Sequence, residues 1–143
     1  MFVSDILAEK GGLVYTVTPG TTVGDIARQL STRRIGSVLV VDRLDQVAGI
    51  VSERDLVHAI ASHGTPALAL EAAHIMTRHV VTCDPDDSID QVMQIMTAGR
   101  FRHLPVVQRG ELIGLISIGD VVKARLAETE HEKEALRAYI VAG

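Results

Sequence analysis

Two serine–aspartate pairs in the sequence have side chains and a spacing that could bind a ligand. Ser52 and Asp55 follow the apolar run GIV, and Ser117 and Asp120 follow GLI in the same way. If a helix begins at each serine, its unpaired N–H groups attract an anion such as phosphate, and a carboxylate one turn later can accept hydrogen bonds from both hydroxyls of a ribose. The same spacing also fits a capping box, in which serine and carboxylate satisfy first-turn amides. A ligand site and a helix cap are both open interpretations.

A duplicated segment of the chain must position these pairs. Residues 15–57 align with residues 81–122 at an offset of 66, which becomes 65 after a one-residue deletion in a turn. The recurring positions include Pro19 with Pro85, Arg34 with Arg100 and Gly49 with Gly114. Such self-similarity indicates one structural unit used twice.

Each copy has the predicted order β-α-β-β-α. After a short β segment, apolar residues at i, i+3, i+4 and i+7 predict an amphipathic helix from Val23 in the first copy and from Ile89 in the second. Two apolar runs joined by a turn then predict a strand pair, and a helix follows each serine. The expected fold class is α+β, with lobes built as α/β sandwiches. The expected boundaries are 1–65 for the first repeat with an N-terminal helix, 66–126 for the second repeat, and 127–143 for a C-terminal helical tail that packs on another surface such as a second subunit.

Composition excludes several classes of protein. Of the 143 residues, 47% are hydrophobic and 3% aromatic, so the core must be aliphatic. A net charge of −4 and the scarcity of aromatic side chains argue against nucleic-acid binding. The N-terminus lacks a signal peptide's basic region, and no apolar run approaches the roughly 20 residues that span a bilayer. We therefore expect a cytoplasmic protein that does not enter a membrane.

No grouping of residues predicts catalysis. The six histidines are scattered without metal-ligand spacing, and no Walker A loop or GxGxxG motif follows a strand. Cys83 aligns with Val17, which favours a small apolar filler over a nucleophile. We expect no catalytic residue, no metal site and no enzyme activity.

The ordered set TVTP, RIGSVLVVD and GIVSERDL, repeated as VTCDP, RFRHLPVV and GLISIGDV, resembles the cystathionine β-synthase (CBS) domain pair, or Bateman module, over about residues 3–126. The resemblance implies two intertwined lobes with a pseudo-two-fold axis and two clefts, each drawing on both repeats. Such clefts often bind adenosyl ligands, namely AMP, ADP, ATP, S-adenosylmethionine or dinucleotides such as NAD(H). It also implies a homodimer and a regulatory role, exerted here in trans on an unidentified effector protein.

The resemblance assigns roles to the paired residues. Asp55 and Asp120 are expected to bind ribose, and Ser52 and Ser117 to bind phosphate or sugar. Arg54, which lies between Ser52 and Asp55, could meet a phosphate or pair with a surface acid.

The second repeat has further candidates. Gly119 would give a ligand close access to the backbone. In resembling proteins, basic residues at the positions of Arg102 and His103 reach nucleotide phosphates, so the cleft with Asp120 is favoured for a phosphorylated ligand. The alternatives are a solvated charge at a strand end for Arg102 and a half-buried strand residue for His103.

Thr16 and Thr82 lie on the first β segment of each repeat, where the family often hydrogen-bonds adenine or sugar. The alternative for both is ordinary β-branched filling of a strand.

Two functions remain open from the sequence. The first is a stand-alone sensor that binds an adenine nucleotide as a regulatory ligand, with no catalytic cofactor. If the clefts open toward each other, one dinucleotide could span both. The second is a dimeric interaction or scaffold protein in which the Ser-x-x-Asp motifs serve only as helix caps.

Overall fold

Helices and strands alternate along residues 1–142, the part of the chain that this computed structural model describes. In chain order the elements are α1 (Val3–Lys10), β1 (Thr16–Val17), α2 (Val23–Arg33), β2 (Ser37–Val41), β3 (Val47–Ser52), α3 (Glu53–His63), a 3-10 helix (Thr65–Ala69), α4 (Ala72–Ile75), α5 (Ile89–Gly99), β4 (His103–Gln108), β5 (Glu111–Ser117) and α6 (Ile118–Ala142). The α+β class is confirmed.

These elements form two structural units. Leu13–Val81 makes the first-repeat unit, and Met1–Gly12 joins the chain from Thr82 onward in the second-repeat unit. This grouping differs from the sequence boundaries, which placed the N-terminal helix with residues 1–65 and started the second repeat at 66. Residues 66–81 pack with the first-repeat unit, while the sequence boundaries of the two repeats stay predictions.

Backbone hydrogen bonds give the physical reason for the position of α1. The amides of Val3 and Ser4 donate to the carbonyls of Asp87 and Pro85, both at 2.9 Å. Val3 is fully buried, so the apolar face of α1 packs inside the second-repeat unit. An amphipathic pattern shows which face of a helix is apolar, but not which neighbour covers it.

The first-repeat unit has a three-stranded sheet in the order β1-β2-β3, with β1 parallel to β2 and β2 antiparallel to β3. The register places Ser37 opposite Ser52, directly before α3 begins. Helices α2 and α3 cover the sheet with an aliphatic core that comprises Val17, Val23, Ile26, Leu30, Val38, Val40, Val51, Leu56 and Ala72. This core fixes the start of α3 relative to the start of β2.

The second-repeat unit has two antiparallel strands, β4 and β5, with His103 opposite Ser117. The predicted first β segment of this repeat is reduced to one parallel bridge between Cys83 and Val106. Helix α5 ends with Gly99 and is capped by Arg100, whose backbone lies in the left-handed region with φ of 56°.

The C-terminal tail continues α6 as far as Ala142. Its apolar side chains Leu136, Tyr139 and Ile140 are exposed. The surface that the tail was expected to pack against is therefore not found among the residues that the structure describes.

Candidate functional site

In the first-repeat unit, Ser52 and Asp55 close a capping box at the start of α3. The Asp55 amide donates to Ser52 Oγ at 3.4 Å, and the Ser52 amide donates back to Asp55 Oδ2 at 2.8 Å. The Ser52 hydroxyl also donates to Oδ2, at 3.1 Å. The cap interpretation is thus confirmed by geometry, and the carboxylate is held in place one turn into the helix.

Thr77 holds the other oxygen of this carboxylate, a contact that the sequence reasoning missed. Its hydroxyl donates to Asp55 Oδ1 at 3.3 Å, and its backbone exchanges hydrogen bonds of 3.0 and 2.9 Å with Ile50 on β3. The sequence around α4 resembles that of the N-terminal helix, which indicates a similar structural element. The resemblance does not show that this segment packs against β3 or that Thr77 reaches Asp55.

Ser37 lies beside this motif and is buried, with 4% of its surface exposed. Its hydroxyl has no hydrogen-bond partner within residues 1–142. The neighbouring Gly36 carbonyl accepts the Glu53 amide at 3.1 Å, which ties the start of β2 to the first turn of α3. Buried polar side chains are nearly always hydrogen-bonded, and an unsatisfied one costs about 1–3 kcal/mol.

The second-repeat unit repeats the cap at the start of α6. The Ser117 amide donates to Asp120 Oδ2 at 2.8 Å, and the Asp120 amide donates to Ser117 Oγ at 3.2 Å. Here a cation joins the carboxylate: Lys10 Nζ lies 2.6 Å from Asp120 Oδ2 and donates to the Leu115 carbonyl at 2.8 Å. The pairing of Lys10 with Asp120, 110 residues later in the chain, was not predicted from the sequence.

The lysine changes the acidity of the carboxyl group. Burial raises the pKa of Asp120, but hydrogen bonds from Lys10 and from the Ser117 amide outweigh it, and the pKa lies below its ordinary value of 3.8. Because the pKa of Asp120 is lower in the folded than in the unfolded protein, the ionised carboxylate stabilises the fold. This stabilisation is fully present at pH values above the unfolded-state pKa. That stabilisation is lost as the pH falls through the folded pKa.

Replacing Lys10 by methionine is expected to raise the pKa of Asp120, because the ammonium and its hydrogen bond are removed while the chain length is kept. A carboxyl ¹³C NMR titration of wild type and variant measures this shift. Lys123→Met is the matched control, since Lys123 pairs with Glu9 at 3.6 Å. An unchanged Asp120 titration in Lys10→Met would show that the ion pair does not form in solution.

The other basic candidates of the second repeat lie at the same helix start. The Arg102 carbonyl accepts the Ile118 amide at 2.8 Å, while its side chain is exposed. His103 is half-buried and pairs in register with Ser117. The structure thus brings both residues to the beginning of α6, next to the serine of the motif.

The remaining candidate residues are less closely associated with the Ser-x-x-Asp motifs. Arg54 and Gly119 are exposed on the first turns of α3 and α6, and a Cβ at Gly119 would make only an ordinary contact, 3.6 Å from Ser117 Oγ. Thr16 and Thr82 are exposed. The hydrogen bonds of the described residues do not connect either threonine to a Ser-x-x-Asp motif.

A cavity of about 410 Å³ lies between α1 and α6 in the second-repeat unit. Its walls are Met1, Asp5, Ile6, Glu9, Lys10, Asp120, Lys123, Ala124 and Ala127. The Lys10–Asp120 ion pair therefore faces a space of the size that small-molecule sites have.

Cys83 is buried, and burial together with the carboxylates of Asp87 and Asp84 raises the pKa of its thiol to about 12. Since the thiolate is the reactive form, we expect negligible alkylation by iodoacetamide in the native protein at neutral pH and rapid alkylation in urea. Mass spectrometry of both samples gives the measurement. Alkylation at equal rates in the two samples would contradict the burial of the thiol.

Residues 1–142 contain no cluster of three or more His, Cys, Asp or Glu side chains that could hold a metal ion. Over the same residues, no helix is both long and apolar enough to cross a membrane. The cytoplasmic location expected from the sequence stays a prediction.

Comparison with known proteins identifies the family. The family model of the CBS domain matches residues 13–62 and 72–127. The chain belongs to the CBS domain family. Two matches in tandem confirm the repeat, and the matched segments contain both Ser-x-x-Asp motifs.

Relatives with CBS domains cover most of the chain. The mitochondrial CBS domain-containing protein CBSX3 of Arabidopsis thaliana is 34% identical over 149 residues, which include 99% of this chain and 72% of the relative. The crystal structure of the CBS-domain containing protein ATU1752 from Agrobacterium tumefaciens is 49% identical, with a TM-score of 0.84, and the match covers 87% of this chain and 92% of that one.

Two solved CBS structures contain ligands. The CBS domain pair of MJ0100, in complex with 5′-methylthioadenosine and S-adenosyl-L-methionine, has a TM-score of 0.79 at 23% identity. CBSX2 in complex with AMP has a TM-score of 0.74 at 24% identity. Each match covers 90% of this chain and 98% of the other. At these identities the likeness shows a shared fold.

Proposed function

We propose that this CBS pair is a regulatory module that binds an adenosyl ligand at its Ser-x-x-Asp sites and acts in trans on a partner protein. The observation that carries the proposal is the repeated helix start, where a carboxylate one turn inside the helix is fixed by its serine. An aspartate held in this way can accept both ribose hydroxyls, and the helix end favours a phosphate. The adenosyl ligands of MJ0100 and CBSX2 support this class of ligand.

Ser37 favours a ligand over a cap alone in the first-repeat unit. The capping box is complete without Ser37, yet its buried hydroxyl has no partner among the described residues. A ligand that reached Ser37 at the start of β2 would supply one. Thr77 and Ser37 add no charge here, so this site suits the uncharged part of an adenosyl ligand.

The second-repeat site suits a phosphorylated ligand. Arg102 and His103 lie at the start of α6, and Lys10 contacts Asp120. AMP, ADP, ATP, NAD(H) and S-adenosylmethionine all share the ribose that the carboxylates would bind. A single NAD(H) bound per chain, where two AMP molecules bind, would indicate that one dinucleotide spans both sites.

A thermal-shift and calorimetry panel with these five ligands tests the proposal, after absorbance at 260 nm has shown that no nucleotide copurifies. A ligand at about 100 times its Kd should stabilise the protein by about 2.7 kcal/mol. Asp55→Asn and Asp120→Asn should each remove binding at one site. Asp25→Asn is the matched control, because Asp25 follows the N-cap Thr22 of α2 at the same spacing but is not a proposed ligand contact.

The alternative is a dimeric scaffold without a ligand. It is favoured by the exposed apolar side chains of Ile118, Val122 and Leu126, which are spaced four residues apart along α6. Light scattering after size exclusion measures the oligomeric state. A dimer that binds none of the five ligands would replace the sensor with the scaffold, whereas ligand binding abolished by the aspartate variants would exclude a purely capping role.

A further inference from the structure

We infer that Lys10 makes the Asp120 site selective for adenosyl ligands that carry an anionic group next to the ribose. The inference rests on the proposed function and adds a specificity-determining residue to it.

The hydrogen bonds of the ion pair leave one N–H of Lys10 beside the Asp120 carboxylate. A lysine ammonium has three N–H donors, and Lys10 uses two of them, on the Leu115 carbonyl and on Asp120 Oδ2. Asp120 Oδ2 also accepts the Ser117 amide. A ribose hydroxyl can donate to the same carboxylate while the third N–H of Lys10 donates to a ligand oxygen.

The charge of Lys10 decides which ligand oxygen is preferred. The Lys10 ammonium makes a charge-assisted hydrogen bond with any ligand oxygen, but a phosphate oxygen adds the attraction of an opposite charge, which a neutral hydroxyl lacks. Lys10 and Asp120 expose 37% and 26% of their side chains, so the pair is reachable but shielded from full solvation. Both residues line the cavity between α1 and α6, which provides room for a ligand.

The other charged groups around this cavity are engaged elsewhere. Asp5 accepts the Phe2 amide at 2.8 Å, Glu9 lies 3.6 Å from Lys123, and the Met1 ammonium lies 2.8 Å from Glu128. Lys123 is 78% exposed and does not contact Asp120. Among the residues that line the cavity, Lys10 is thus the cation placed to hold an anion against the carboxylate.

The first-repeat site offers the internal comparison. There the second oxygen of Asp55 accepts the neutral Thr77 hydroxyl, and the described residues place no cation on the carboxylate. We therefore expect selection for an anionic ligand at Asp120 and little such selection at Asp55.

Calorimetric titration of AMP and of adenosine tests the inference, with Asp55→Asn as the background so that only the Asp120 site binds. With Lys10 present, AMP should bind at least about 10-fold more tightly than adenosine. Lys10→Met should reduce that ratio by about 5-fold or more, while Lys10→Arg retains most of it. Lys123→Met is the matched control and should leave the ratio unchanged.

The outcomes separate the two proposals. If AMP binds but its ratio to adenosine is the same in Lys10→Met, the inference is overturned and the proposed function stands. If neither AMP nor adenosine binds in Asp55→Asn, the inference is overturned; the proposed function fails as well only if none of the five ligands of the panel binds the parent chain. Far-UV circular dichroism confirms that each variant is folded.

Discussion

Replacement of Ile26 by alanine is expected to lower the free energy of unfolding by about 3 kcal/mol. Ile26 is fully buried on α2, within the aliphatic core of the first-repeat unit. The truncation removes three carbons that pack beneath the sheet and leaves a cavity that its β-branched neighbours cannot fill. Because small domains are stable by only about 5–15 kcal/mol, this is a large part of the total.

Urea denaturation followed by circular dichroism measures the loss. Leu44→Ala is the matched control, since it also removes three carbons but from a turn residue that is 80% exposed; its effect should stay within about 0.5 kcal/mol. Equal midpoints for the two variants would be incompatible with the described core.

Gly49→Ala is expected to destabilise the first-repeat unit by about 2 kcal/mol and to disturb the Asp55 site. A Cβ at this position would lie 2.9 Å from the Thr77 carbonyl oxygen and 2.6 Å from the Met76 sulfur. The methionine can move, but the carbonyl is backbone and accepts the Ile50 amide. Relief of the clash must shift Thr77, whose hydroxyl donates to Asp55.

Two other glycines serve as comparisons for Gly49→Ala. At Gly20 the nearest atom to an added Cβ is 4.0 Å away, so Gly20→Ala should be nearly neutral. At Gly114 the added Cβ would meet only the end of the Leu7 side chain, at 2.6 Å, so that variant should lie between the two. Thermal denaturation ranks all three, and a Gly49→Ala no less stable than Gly20→Ala would refute the close approach of Thr77.

The local parts of the site could be predicted from the sequence. The caps at Ser52 and Ser117 use hydrogen bonds between residues three apart, so their partners are fixed by spacing alone. The order of helices and strands could be predicted from apolar periodicity, because periodicity is likewise a property of residues close together in the chain. The repeated glycines, Gly49 and Gly114, were visible as a pattern, although their close contacts with Met76 and Leu7 were not.

The long-range parts could not be predicted. Lys10 reaches Asp120 across 110 residues, and Thr77 reaches Asp55 across 22, so neither pairing is set by any local pattern. Ser37 has no hydrogen-bond partner within residues 1–142, and this too depends on the packed sheet rather than on its neighbours in the chain. These are also the residues that make the two sites chemically unlike.

The position of α1 has a consequence for dissecting the molecule. Helix α1 precedes the first-repeat unit along the chain but completes the second-repeat unit, so the second-repeat unit is discontinuous in sequence. A fragment cut to begin at Thr82 would lose Val3, Ile6 and Lys10, leaving apolar surface bare and the aspartate of α6 without its counter-ion. An exchange of repeats between relatives must therefore keep α1 together with the second repeat.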